Sequence, residues 1–280
     1  MNAPSARTRA APASVEEARS SPVRARTFPF SLTDVYSDSD NGHAAKMLHS
    51  SNSFAAFAVA ATVLAAWVAG GASPARASTP QTLYSVGSDA GVPHGGVTLL
   101  HAAPGSHEVL ARIGPRTVFG SPMRLAVVGT SGEWLAVISA ALDNRVRGFV
   151  HRSKVRLLHV PVSLEVDRSS RRMRVWRMGR VLRTFGIAVG ALETPTPRGR
   201  FAITDKLSNF MPSIYGCCTL ALSGHQTRLA PGWTGGDRLA IHAGSGIGRA
   251  VSNGCLRAVE TDMRYLMELL PLGTQVVVHD

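Results

Sequence analysis

Between residues 82 and 157 the chain offers only short apolar runs. Each is cut off within a few positions by Gly, Pro, Ser or Asn, and no stretch between them has a helical period. TVFG, LAVVGTSGEWLAVI and RGFVHRSKVRL read as strands joined by turns. The same grammar continues in VSLEVDRSSRRMRVWRMGRVLRTFGIAVG. There Leu164 and Val166 alternate with polar neighbours, and Met173, Val175 and Arg177 do so less cleanly. Ser169-Ser170 and Met178-Gly179 sit where hairpin turns belong. TPTPRG (194–199) is a rigid turn leading into the strand RFAIT, and YGCCTLALSG, RLAIHAG and QVVVHD read as further strands. One helix is well marked: Met263, Leu266, Met267 and Leu270 fall at i, i+3, i+4 and i+7, and Pro271 and Gly273 stop it. The sequence thus predicts a mainly β protein of two β domains in series, 78–158 and 160–280, joined by a short linker, with one clear helix near the end.

The N-terminal part reads as an address. Residues 1–46 are rich in Ala, Arg and Ser, with little apolar periodicity, so a leader without a packed core is expected there. FAAFAVAATVLAAWV (54–68) is uncharged and apolar, and small residues and Ala-Arg-Ala (75–77) follow it. A basic flank, a short apolar centre and small residues at the −3 and −1 positions are the order of a secretory signal, here 47–77. The run is shorter than the roughly 20 residues of a bilayer-spanning helix. Continued through residue 72, it would make a marginal signal-anchor, the only route to a membrane. Synthesis starting at Met47 is also compatible. The expected location is outside the cytoplasm, in the cell wall or periplasm.

Of 280 residues, 45% are hydrophobic, which excludes general disorder. The formal charge is +12, and most of the excess lies from Ser78 onward. Such a surface adheres to polyanions, and anionic cell-wall polymers are the candidates outside a cytoplasm. RRMR (171–174) is the densest basic group and no nucleic-acid-binding motif is present, so no nucleic acid is expected.

Export sharpens the question of the three cysteines. Cys217 and Cys218 are adjacent; they can close a small ring, and two reduced, buried thiols in a strand are expected instead. Cys255 is left over, which points to an intermolecular bridge or a reactive thiol. With no Cys-x-x-Cys or His-x-x-x-His pair, no metal is expected. In IHAGSGIGRAVSNGCLRA (241–258), His242 ends a strand and Cys255 closes a glycine-rich loop behind Ser252, Asn253 and Gly254. A free thiol with a pKa near 8.5 is mostly protonated at neutral pH, and an imidazole in reach can take that proton to give a thiolate–imidazolium pair. Gly254 leaves the thiol open to a carbonyl, and the N–H groups of Gly254 and Cys255 are placed to meet an oxyanion. Arg257 is placed to hold a carboxylate.

The segment His…IGRAVSNGCLRA resembles the signature of the L,D-transpeptidases with a YkuD-type catalytic domain, commonly written His…Ser-His-Gly-Cys-Ile/Val-Arg. The upstream GA…TPTPRGRF (190–201) is similar to that family's Thr-Pro-x-Gly-x-Phe segment, and PGW…RLAIH (231–242) to the strand carrying its His. The resemblance covers roughly 160–280. It implies a β-sandwich-like catalytic domain with Cys255 as nucleophile, His242 as base and the carbonyl of Ala243 as orienting group. It implies peptidoglycan stem tetrapeptides as substrates, 3→3 crosslinks through a thioester, and no cofactor. Water as acceptor would give an L,D-carboxypeptidase. Two departures stand out: Asn253 replaces the usual His, and the His-to-Cys spacing is about three residues short. Ser252 and Asn253 then shape the loop, Tyr215 and Trp233 are candidates to line the donor groove, and His225 and His279 are expected to be incidental.

Residues 78–158 resemble a bacterial SH3-like β barrel through the Gly132-Glu133-Trp134 turn and the Gly148-Phe149-Val150 strand start. Two rival readings remain. Exported cell-wall cysteine peptidases usually run Cys before His, the reverse of this order. A non-catalytic wall-binding or scaffold protein would not need His242, Gly254, Cys255 and Arg257 together.

Overall fold

The computed structural model describes residues 76–208 and 212–280. The expected leader (1–46) and nearly all of the expected signal (47–77) lie outside the described residues. Among the described residues, no helix is long and apolar enough to cross a membrane.

The first sheet contains β1 (Arg76–Ala77), β2 (Ser88–Pro93), β3 (Thr98–His101), β4 (Val109–Ile113), β5 (Leu125–Ser131), β6 (Trp134–Ile138), β7 (Gly148–His151) and β8 (Val155–Val160). All pairings are antiparallel, in the order β4-β3-β7-β6-β5-β2-β8, with β1 added on β5. Leu100, Ile113, Leu125, Leu135, Val137 and Val150 make its core. The β5–β6 hairpin turns at Gly132, whose φ of 54° suits a residue without a Cβ.

One element escaped the sequence reading. A short helix α1 (Pro80–Val86) stands where strands were expected to begin. Thr79 caps it by accepting the N–H of Thr82, Pro80 opens it, and Gly87 at φ 78° ends it. It buries only Leu83, so no apolar period announces it. Tyr84 stacks on Trp176 at 5.0 Å, which seats the helix on the second sheet.

The second half contains β9 (Val162–Asp167), β10 (Arg172–Arg177), β11 (Arg180–Gly186), β12 (Val189–Gly190), β13 (Gly199–Ser208), β14 (Cys218–His225), β15 (Arg238–Ala243), β16 (Ala250–Ser252), β17 (Leu256–Ala258), α2 (Glu260–Leu269) and β18 (Gln275–His279). Only Pro161 separates β8 from β9. The β10–β11 hairpin turns on Met178 and Gly179, both with positive φ (48° and 79°), the backbone a two-residue turn between twisted strands requires.

The eight-stranded order is β11-β10-β9-β18-β13-β14-β15-β17. β13 is the hinge of this sheet: residues 199–202 pair with β18 and residues 203–208 with β14, across an irregularity between Ile203 and Asp205. The sheet folds over one core, in which Leu164, Val166, Met173 and Val175 meet Leu220, Leu222, Ile241 and Leu256. This is the sandwich-like, mainly β architecture the sequence predicts. Helix α2 adds Met263 and Leu266, with Leu270 just behind, and all three are fully buried. Each such side chain contributes about 1.5–3 kcal/mol.

The two sheets are bonded to each other. Gln275 donates to the carbonyl of Val127 at 2.8 Å, and Asn144 exchanges two hydrogen bonds with the backbone of His225. His225 also bonds the carbonyl of Ala140 (3.1 Å) and Asp237 (3.0 Å), so its place is structural. His279 bonds Glu165 at 3.1 Å, across the neighbouring strands β18 and β9.

Candidate active site

Strands β15 and β17 are parallel neighbours, so the chain must travel back before pairing again, and residues 244–255 make that return. The glycine-rich loop is therefore a topological need that delivers Cys255 to the start of β17. In the register, Ile241 faces Leu256 and His242 faces Arg257. Ile241 and Leu256 point into the core. Alternation then puts His242, Arg257 and Cys255 on the opposite face of the sheet. Strand spacing and rise place the Cα atoms of His242 and Cys255 about 8 Å apart, which their side chains can close.

His242 is buried, with 4% of its surface exposed. Its Nδ1 lies 2.9 Å from the carbonyl oxygen of Ala243, so Nδ1–H donates there and Nε2 remains the basic nitrogen. Burial pulls its pKa below the ordinary imidazole value and the charge of Arg257 pulls the same way, while the Ala243 bond opposes both. The half-buried thiol of Cys255 is pushed up by burial, against a hydrogen bond from the backbone of Ala240 and the charge of Arg257. Burial thus favours the neutral form of both groups.

Tyr215 sits in a 3-10 turn (Ser213–Tyr215), its ring edge-on to His242 at 4.9 Å. Gly216 follows at φ 66°, and a Cβ there would lie 2.6 Å from that of Ala243. That close approach is what allows the turn to reach the His. Tyr215, Trp233, Leu229, Asn253 and Cys255 line one groove. Arg257 is half-buried, with no carboxylate paired to its guanidinium among the described residues; its stem packs on Gly244.

The loop before the thiol is held by polar groups. The hydroxyl of Ser252 donates to the carbonyl of Cys255 at 2.5 Å and accepts the N–H of Gly254 at 3.1 Å. That second bond overturns part of the expected oxyanion site, because the N–H of Gly254 is already engaged. The N–H of Cys255 has no partner among the described residues. Asn253 projects an exposed side chain, and its contribution to the loop is its carbonyl. Thr196 donates to the carbonyl of Gly254 (2.8 Å) and Thr194 to that of Ser252 (3.0 Å). The TPTPRG turn is thus a brace for the cysteine loop.

Gln226 was not legible as a site residue. It is 7% exposed, and its amide donates to the carbonyls of Asn253 (3.0 Å), Thr194 (3.1 Å) and Pro195 (3.3 Å). Gly254, at φ 112°, leaves room for it: a Cβ there would stand 2.0 Å from its Nε2. Truncation by Gln226→Ala leaves three carbonyls, that of Thr194 in a buried bond, without their donor, at about 1–3 kcal/mol each where water cannot replace it. The expected outcome is a kcat lowered roughly 10–100-fold with a smaller change in KM, read from steady-state kinetics. An unchanged kcat would show that the clamp does not position the thiol.

The adjacent cysteines depart from expectation. Cys217 and Cys218 are bonded to each other as a disulfide at the start of β14, rather than reduced. Cys255 is the free thiol. Among the described residues no cluster of His, Cys, Asp or Glu could hold a metal ion.

Residues 161–278 match the family model of the L,D-transpeptidase catalytic domain, YkuD. The chain is 32% identical over 122 residues to the YkuD protein of Bacillus licheniformis, covering 42% of this chain and 66% of that one. It is 31% identical over 123 residues to the YkuD protein of Bacillus subtilis, covering 43% and 67%. It thus spans about two thirds of the length of these relatives. A looser likeness links it to the crystal structure of L,D-transpeptidase 3 from Mycobacterium tuberculosis, with 14% identity, a TM-score of 0.36, and coverage of 47% of this chain and 67% of that one. With the family model spanning the strands that carry His242 and Cys255, and more than 30% identity to the Bacillus proteins, the chain belongs to the YkuD family of L,D-transpeptidases.

Proposed function

We propose that this protein is an exported cysteine transpeptidase that joins peptidoglycan stem peptides through 3→3 crosslinks. The sulfur of Cys255 attacks the carbonyl of the L-centre of the diamino acid in a stem tetrapeptide while His242 Nε2 takes the thiol proton. The developing oxyanion meets the free N–H of Cys255. Collapse breaks the bond to the terminal D-Ala, whose amine leaves with the proton from His242, and a thioester remains. The side-chain amine of a second stem then attacks, His242 accepts its proton, and the thiol leaves with that proton. Arg257 grips a substrate carboxylate with its planar fork, and Tyr215 and Trp233 wall the donor groove. Residues 78–158, read as an SH3-like domain, carry the catalytic half, and the leader supplies the export route to the wall.

The observation that carries this reading is the shared face of β15 and β17. There a buried imidazole with its tautomer fixed by Ala243 shares a face with a free thiol, and the thiol lines the groove with Tyr215 and Trp233. Incubation of the protein with a disaccharide tetrapeptide, followed by mass spectrometry, tests it. A crosslinked dimer with release of D-Ala is expected. Release of D-Ala alone would mark a carboxypeptidase, and no product would mark a non-catalytic wall protein; either contradicts the proposal.

A further inference from the structure

The first sheet has a cleft of its own, about 520 Å³, sharing no lining residue with the Cys255 groove. That volume falls in the roughly 300–1,000 Å³ range of small-ligand sites. Its floor is a row of rings across three neighbouring strands. Trp134 on β6 lies 5.4 Å from His151 on β7 and 5.4 Å from His101 on β3, edge-on to both. Their neighbours Leu135, Val150 and Leu100 point into the core, so alternation turns the three rings outward. His94 and the exposed Lys154 stand at the rim.

The polar groups here are unspent. Nδ1 of His101 is buried with no hydrogen-bond partner among the described residues. His151 bonds Ser153 through Nδ1 at 2.8 Å, which leaves Nε2 for a ligand. Lys154 has no ion pair among the described residues, and no Asp or Glu lines the cleft. The absence of carboxylates disfavours a cationic ligand, and the imidazoles form no metal-binding group among the described residues. Imidazole nitrogens can both give and take hydrogen bonds, which matches hydroxyl groups. An indole offers an apolar body beside a polar edge, as the C–H face of a sugar ring requires. An ammonium at the rim supplies the countercharge for an acid group.

We infer that this cleft is a second binding site, which takes a carboxylated saccharide with a sugar ring on Trp134 and its carboxylate at Lys154. A site of this kind lets the first sheet hold a glycan while the Cys255 groove works on peptide, and it does not depend on the transpeptidase reading. Titration calorimetry on the full chain at low salt tests it with three probes: a hyaluronan tetrasaccharide, neutral chitotetraose and inorganic phosphate. The uronate-bearing sugar should bind with Kd below about 1 mM, chitotetraose at least about 10-fold more weakly, and phosphate without measurable heat. Lys154→Gln, at an exposed position that folding does not need, should weaken uronate binding at least about 10-fold, and Trp134→Ala should abolish it. Absence of heat with hyaluronan, equal affinity for chitotetraose, binding of phosphate alone, or Lys154→Gln without effect would each overturn the inference.

Discussion

Cys255→Ala abolishes transpeptidation: turnover falls by at least about 10⁴-fold, as removal of a nucleophile does in other covalent catalysts. The backbone stays in place, because the loop is fixed by Ser252, Thr194, Thr196 and Gln226 and not by the sulfur. The variant should therefore melt close to the parent protein while forming no product. A rate within 10-fold of the parent would place the nucleophile elsewhere, and Cys217 and Cys218 are the only other cysteines. Both are held in their disulfide beside Thr219, which pairs with His242, and Cys218 lies on the core side of β14.

His242→Gln is the second large effect. A glutamine can occupy the volume and keep a bond to the Ala243 carbonyl, but it cannot take the thiol proton. General-base contributions of 10²–10⁴-fold set the scale, and a drop of about 10³-fold in kcat/KM is expected, equivalent to about 4 kcal/mol. The pH profile separates this from mere misfolding. Burial holds the imidazole below its ordinary value of 6.5, so in the parent protein the acid limb should lie below that pH. The same burial outweighs the opposing charge of Arg257 and keeps the thiol limb above its ordinary value. Activity should thus stay flat between these limits and fall on either side. In His242→Gln the acid limb should vanish, leaving a rate that climbs with thiol ionisation. An unaltered acid limb in that variant would assign the titration to another group.

How much of this was readable before any coordinates depends on the range over which each feature is encoded. Met178-Gly179 declared its turn because two consecutive positive φ angles ask for a permissive residue. Helix α2 declared itself through four apolar positions at helical spacing, three of which are buried. Helix α1 did not, because a seven-residue helix burying one Leu carries no period and speaks only through Thr79, Pro80 and Gly87. The glycine-rich segment showed that a tight loop separates His242 from Cys255. It did not show that Ser252 claims the N–H of Gly254, since that depends on the hydroxyl's direction. Gln226 was invisible for a different reason. Its partners lie 27 to 32 positions away along the chain, and no local pattern marks a glutamine that meets them only after folding. The Cys217–Cys218 bond is likewise silent in sequence, where adjacency is the same whether the sulfurs are joined or apart.

Trapping the acylated enzyme tests the account at its centre. A disaccharide tetrapeptide with its side-chain amine acetylated can donate but cannot accept. Acid quenching after mixing, followed by digestion and peptide mapping, should find the donor minus D-Ala attached to the peptide that holds Cys255, and this adduct should form about 10³-fold more slowly in His242→Gln. Acylation mapped to any other residue, or release of D-Ala by a protein whose Cys255 is fully alkylated, would contradict it.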